Sequence, residues 1–190
     1  MEFKKIALIG AAVSFLSFCL SLVSVLIGVN KGFSPSIFDI LYLILIFLAS
    51  VMMLWGLRVR WHIGAGAILA MLGVFINSMY YGYLSVTSGQ DYAILSGVLN
   101  FIFAFLLFDS VIMVIHTMLN IKLVKPFAAL IILVCGLVGA VLALYNLFYS
   151  LISANPDYLS SIFVCLALLG ASGVVLFAAY FINKTNKQAN

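Results

Sequence analysis

The chain has 190 residues, of which 66% are hydrophobic and only 7% carry a charge. A soluble globular domain has about 25% charged residues, so the composition excludes that class. The formal net charge of +4 comes from Lys and Arg clustered at the ends of apolar runs, and we therefore predict no nucleic-acid partner.

Six apolar runs fill most of the chain, at 6–29, 37–57, 62–85, 92–118, 126–152 and 159–182. Each reaches the ~20 residues that a helix needs to cross the ~30 Å hydrocarbon core of a bilayer. None shows the apolar/polar alternation of a barrel strand. We predict an all-α membrane protein with a single domain, residues 1–190. It is a compact bundle of six transmembrane helices arranged as three hairpins (3–58, 60–118 and 125–184), without a soluble domain.

The basic residues predict the orientation of the bundle. Eight of the nine flank every second connection or the termini, namely Lys4, Lys5, Arg58, Arg60, Lys122, Lys125, Lys184 and Lys187, and only Lys31 lies on the other side. Cytoplasmic loops carry the excess of Lys and Arg, so we expect both termini in the cytoplasm and the protein in the plasma membrane. The first run is longer than the apolar part of a signal peptide, and we expect it to be retained.

Small residues recur along the first run at spacings of three and four: Gly10, Ser14, Ser17, Ser21, Ser24 and Gly28. Such a stripe is typical of a helix packed closely against a neighbour, and a polar pore is the alternative. Shorter seams of the same kind are Gly66–Ala70–Gly73, Gly136–Ala140–Ala143 and Gly170–Gly173.

Tyrosines mark the outer ends of the third and fifth runs, including Tyr81, Tyr145 and Tyr149. We interpret them as part of an aromatic belt at the membrane interface, with a ligand cage as the alternative.

Three asparagines lie in the outer halves of different runs: Asn77, Asn100 and Asn146. An amide inside hydrocarbon needs hydrogen-bond partners. We predict that these residues bind a ligand in an outward-facing cavity, and interhelical clamps are the alternative.

Asp109 is a carboxyl in the fourth run, about nine residues from its inner end, and such a group is expected to face the bundle interior. His116 follows seven residues later on nearly the same side of the helix. We predict a proton or cation site at Asp109 and His116. The alternative is a structural carboxyl that is either protonated or paired with Arg58 or Arg60.

No enzyme motif is found. Gly170-Ala-Ser-Gly173 matches the Gly-x-Ser-Gly of rhomboid proteases in letters, but no later helix supplies a histidine base for Ser172. Cys19, Cys135 and Cys165 lie far apart inside runs and are expected to be buried apolar side chains. We predict no catalytic activity, no metal and no cofactor.

The leading hypothesis is a small membrane subunit for solute or ion handling, acting in the bilayer with a membrane-protein partner or as an oligomer. A non-transporting accessory, assembly or immunity subunit is the alternative, and a membrane-embedded enzyme comes third. Size, six spans and orientation are similar to the substrate-capturing components of energy-coupling-factor vitamin transporters. Ala7-x-x-x-Ala11 resembles the small-residue spacing with which those components dock. We assign no family on this basis.

Overall fold

Six α-helices form almost all of the described chain. The computed structural model describes residues 2–59, 61–89, 91–119, 125–152 and 158–188. The helices are α1 Glu2–Asn30, α2 Ile37–Trp55, α3 Trp61–Thr87, α4 Asp91–Met118, α5 Lys125–Ile152 and α6 Tyr158–Gln188. All six are long and apolar enough to cross a membrane. The predicted bundle of transmembrane helices is confirmed, and the described residues include no strand.

The connection between α1 and α2 has clear stop and start signals. Gly32 has a φ of +85°, and the amide of Phe33 donates to the carbonyl of Gly28, which together form a Schellman motif that ends α1. Ser36 caps α2, since its hydroxyl accepts from the backbone amide of Asp39 while the Asp39 carboxylate accepts from the backbone amide of Ser36. The chain therefore reverses within six residues.

The helices form a closed ring. Each helix packs against the next along the chain, α1 packs against α6, and α3 contacts α6 across the centre. Half of the apolar window of α3 and of α6 is buried, against 28% for α2, which lies at the periphery. Short connections make successive helices antiparallel. We call the end at which α1, α3 and α5 finish the acidic end, because Asp39 lies there, and the opposite end the basic end.

Glycines let the helix backbones approach closely. A Cβ atom at Gly66 would lie 2.9 Å from the carbonyl oxygen of Ala49 on α2, and one at Gly139 would lie 2.6 Å from Ser172 Oγ on α6. In α1, a Cβ at Gly10 would lie 2.5 Å from the ring of Phe177. Gly10 and Gly66, which belong to the predicted seams, therefore lie on packing surfaces, as the sequence predicts.

Ala7 and Ala11 belong to the same packed interior. Their exposed fractions are 0% and 4%, and both lie in the main hydrophobic core. A partner cannot reach them while the bundle is intact. Both alanines therefore serve the packing of the bundle.

Candidate ligand-binding site

A cavity of about 330 Å³ opens into the acidic half of the bundle, and all six helices contribute to its wall. The lining includes six serines, four tyrosines, three asparagines and one aspartate. Ser85 and Ser150, both in the lining, lie within one turn of the ends of α3 and α5, so the cavity reaches the acidic end. Its volume is at the lower end of the ~300–1,000 Å³ typical of small-molecule sites.

The three predicted asparagines meet at this cavity. Asn77 comes from α3, Asn100 from α4 and Asn146 from α5, and all three line the wall. An interior packed throughout with apolar side chains would have kept them apart.

Asn77 has an unsatisfied acceptor. Its Oδ1 atom is buried and has no hydrogen-bond partner in the described part of the chain. A buried polar atom left in this state costs about 1–3 kcal/mol. A hydrogen-bond donor from a ligand or an ordered water would remove that cost. We therefore regard Asn77 Oδ1 as the atom of the wall to which a ligand would most favourably donate a hydrogen bond.

The other two asparagines also have structural hydrogen bonds. Ser96 Oγ donates to Asn146 Oδ1 at 2.8 Å, which links α4 to α5. Asn100 Nδ2 donates to the carbonyl of Ser96 at 2.9 Å, within its own helix. Asn146 therefore joins two helices, as the alternative of interhelical clamps predicts, and it also lines the cavity.

Asp39 places a carboxylate in the wall. Its Oδ2 accepts from the backbone amide of Ser36 at 3.0 Å and from the Ser36 hydroxyl at 2.7 Å. Its Oδ1 accepts from the Tyr81 hydroxyl at 2.9 Å. These three bonds fix the carboxylate, and they join the start of α2 to α3.

Hydroxyl groups form the floor of the cavity. The hydroxyl of Tyr42 lies 3.3 Å from both Ser17 Oγ and Ser21 Oγ. Ser17 Oγ also donates to the carbonyl of Ala167 on α6 at 3.0 Å. The network ties α1, α2 and α6 together beneath the cavity.

Sequence reasoning missed several of these side chains. Tyr81, Tyr145 and Tyr149 line the cavity, which the aromatic-belt interpretation does not predict. Asp39, in the first turn of α2, also lines the cavity, and it is not among the site residues predicted from the sequence. The signal for Asp39 is present in Ser36-x-x-Asp39, the pattern of a capping box directly before an apolar run.

Neither a family model, nor a curated protein, nor a solved structure matches this chain. Its function is therefore inferred from its own side chains.

Asp109 does not face the bundle interior, and this correction is the largest one at a predicted site. Its side chain is exposed on the outside of α4 and does not border the cavity. It forms no ion pair or hydrogen bond within the described residues, so pairing with Arg58 is wrong, while Arg60 lies outside them. Translocon scales assign a charged Asp at a helix centre a cost of about 2.5–3.5 kcal/mol, and Asp109 lies between the centre and the basic end of α4. The difference arises because an apolar run gives no indication of which side of its helix faces protein.

His116 and Asp109 are therefore in different surroundings. His116 is half-buried, and its Nδ1 atom is buried without a hydrogen-bond partner in the described part of the chain. The predicted proton or cation site at Asp109 and His116 is not part of the cavity at the acidic end, whose wall is lined by polar side chains.

The remaining chemistry-bearing residues are consistent with structural positions. Ser172 is buried and donates to the carbonyl of Leu168 in its own helix at 2.8 Å. Cys135 and Cys165 are buried free thiols, and Cys165 forms part of the cavity wall. Among the described residues, no group of three His, Cys, Asp or Glu side chains could hold a metal ion.

Proposed function

We propose that the protein is a membrane subunit for solute handling that binds a small polar molecule in the acidic-end cavity. The observation that carries the proposal is the unsatisfied Oδ1 of Asn77 in the wall of a cavity of about 330 Å³. A ligand with an N–H or O–H donor would supply the missing hydrogen bond. Both termini lie in the cytoplasm in this proposal, so the cavity faces the outside of the cell.

The charges of the wall favour a neutral or cationic ligand. Asp39 is the one charged side chain among the described lining residues, and no Lys, Arg or His is among them. A negatively charged ligand would meet the Asp39 carboxylate without a compensating cation. The wall also contains the aromatic rings of Tyr81, Tyr145 and Tyr149, and aromatic rings favour an ammonium group through cation–π contact.

The test is ligand binding by the purified protein. Small neutral solutes, amines and carboxylic acids are screened for thermal stabilisation, and the affinity of each stabilising compound is measured by calorimetry. We expect amines or neutral hydrogen-bond donors to bind, and Asn77→Leu to weaken binding by about tenfold or more, because one buried hydrogen bond is lost. The melting temperature should not fall, since the unsatisfied atom is also removed.

Ser110→Ala is the matched control. Ser110 is a buried polar residue on α4 that donates to the carbonyl of Leu106 and does not line the cavity. The Ser110→Ala variant should bind each stabilising compound with the same affinity as the unmodified protein. Binding of carboxylic acids alone, or an equal effect of both substitutions, would contradict the proposed site.

A further inference from the structure

We propose that the face of α4 around Asp109 docks the spanning helix of a different membrane protein, one that carries an Arg or Lys at the depth of Asp109. The docking face, here called the α4 stripe, consists of Val98, Ile102, Phe105 and Asp109. Their spacings of four, three and four place them on one side of the helix. Ile102 is 47% exposed and Phe105 is 66% exposed, so the side is open to whatever surrounds the bundle.

The depth of Asp109 prevents it from reaching water on its own. It precedes Met118, the last residue of α4, by nine residues, which is about 14 Å at ~1.5 Å per residue. Because the 28 residues of α4 are longer than the ~30 Å core, Asp109 lies roughly 8 Å inside the core of a centred helix. An aspartate side chain is too short to cover that distance, unlike the long side chains of Lys and Arg. Carboxylates at such depths pair with another polar group. Among the described residues, none forms an ion pair or a hydrogen bond with Asp109, and its electrostatic neighbour is the uncharged thiol of Cys135. We therefore assign the partner group to another chain.

A second copy of the chain has no Lys or Arg at the depth of Asp109. All nine Lys and Arg lie at or outside the ends of the apolar runs, at positions 4, 5, 31, 58, 60, 122, 125, 184 and 187. A symmetric contact through the α4 stripe would bring two Asp109 carboxylates together instead. Charge complementarity therefore favours a different chain with a basic residue inside its own span.

A defined peptide tests the chemistry directly. A polyleucine spanning peptide with one Arg near its centre is compared with the same peptide carrying Leu there, and binding in lipid nanodiscs is measured by fluorescence energy transfer. We expect the protein to bind the Arg peptide about tenfold more tightly than the Leu peptide, the size expected of one polar pair inside a bilayer. Asp109→Asn should remove this preference, and Asp109→Glu should retain it.

Leu137→Asn is the control for a polar change at an equivalent depth. Leu137 is exposed on α5, ten residues from the start of its apolar span, and it is not part of the α4 stripe. The preference for the Arg peptide should persist in this variant. Equal binding of both peptides, or a preference that Asp109→Asn leaves intact, would overturn the proposal and indicate a protonated carboxyl facing lipid.

Two further measurements distinguish the proposed partner from other proteins that could bind the α4 stripe. A dimer that Asp109→Asn converts to a monomer would overturn the proposal in favour of a second copy. A photo-crosslinking residue in place of Ile102 should, in native membranes, give an adduct with a protein whose span contains Arg or Lys. Replacing this Arg or Lys of the partner by Leu should abolish the adduct. An adduct with a protein lacking such a residue would also overturn it.

Discussion

Asp39 illustrates how one side chain can serve both the start of a helix and a contact between helices. One carboxylate oxygen accepts both bonds from Ser36 that begin α2, and the other accepts the bond from Tyr81 on α3. The carboxylate is charged, so these bonds are stronger than those between neutral groups. Asp39 therefore joins the start of α2 to the acidic-end half of α3, beside the stacking contact of Phe38 with Tyr80.

Removing the Tyr81 hydroxyl tests this role. Tyr81→Phe should lower the melting temperature in detergent by a few degrees, because a bond to a charged group contributes about 1.5–3 kcal/mol. Tyr80→Phe is the matched control, since the Tyr80 ring stacks on Phe38 at a centroid distance of 4.6 Å and keeps that contact as Phe. Equal melting temperatures for the two variants would show that the bond between Tyr81 and Asp39 adds no stability.

Depth along the apolar runs predicts that Asn77, Asn100 and Asn146 lie in the same half of the bundle, and the structure brings all three to one cavity. Asp109 instead lies on the outside of α4. The direction of Asp109 depends on rotation about the α4 axis. Successive residues differ by about 100°, and an apolar run on all sides leaves that rotation undetermined.

Helix α1 shows that one stripe of small residues can have two roles. Gly10 and Ser14 pack against Met53 and Phe177, whereas Ser21 and Ser24 line the cavity. The packing interpretation is therefore correct for the basic half of the stripe and incomplete for the acidic half. Spacing identifies the buried side of the helix, but it does not show where that side meets a cavity.

Enlarging the packed half should destabilise the bundle. In Gly10→Leu, the first added carbon would meet Phe177 at 2.5 Å and Met53 Sδ at 2.8 Å, and overpacking of this kind costs about 1–3 kcal/mol. Ala12→Leu adds apolar volume to an exposed position of the same helix and should leave the stability within about 0.5 kcal/mol. Unfolding in mixed micelles, followed by circular dichroism, compares the two. A similar stability for both variants would argue against close contact at Gly10.

Helix boundaries followed from the sequence to within a few residues where the helix ends with the apolar run. The start of α2 at residue 37 and the ends of α4 and α5 agree with the prediction. Helix α6 continues to Gln188, six residues beyond the predicted end at 182. An apolar run measures the hydrocarbon thickness, whereas a helix can continue into the interface with polar residues such as Asn183 and Lys184.

At the scale of the whole molecule, orientation is the property that most affects the proposed function. Ser88 is exposed in the connection after α3 and provides a suitable position for labelling. In a background without Cys19, Cys135 and Cys165, we expect Ser88→Cys to react with an impermeant thiol reagent added to intact cells. Asn186→Cys should react only after the membrane is opened. The reverse pattern would place the cavity towards the cytoplasm and overturn the assigned orientation.

The order of helices around the ring could not be predicted from the sequence. Short connections make neighbours along the chain neighbours in space, but they do not determine that α1 meets α6 or that α3 meets α6 across the centre. Those contacts depend on close approaches such as Gly170 against Ser17 and Gly173 against Val13. The cavity depends on the same contacts, because its wall takes residues from every helix.

The helices also differ in length, and this difference affects the fit of the bundle to a bilayer. Helix α2 has 19 residues, about 28 Å at ~1.5 Å per residue, whereas α3 has 27 residues, about 40 Å. The hydrocarbon core is about 30 Å thick, so α3 must tilt or extend into the headgroups while α2 barely spans it. Because α2 is also the most lipid-exposed of the six spans, hydrophobic mismatch falls mainly on this helix. A thicker bilayer would therefore strain the bundle first at α2, where Asp39 and Tyr42 support the cavity wall.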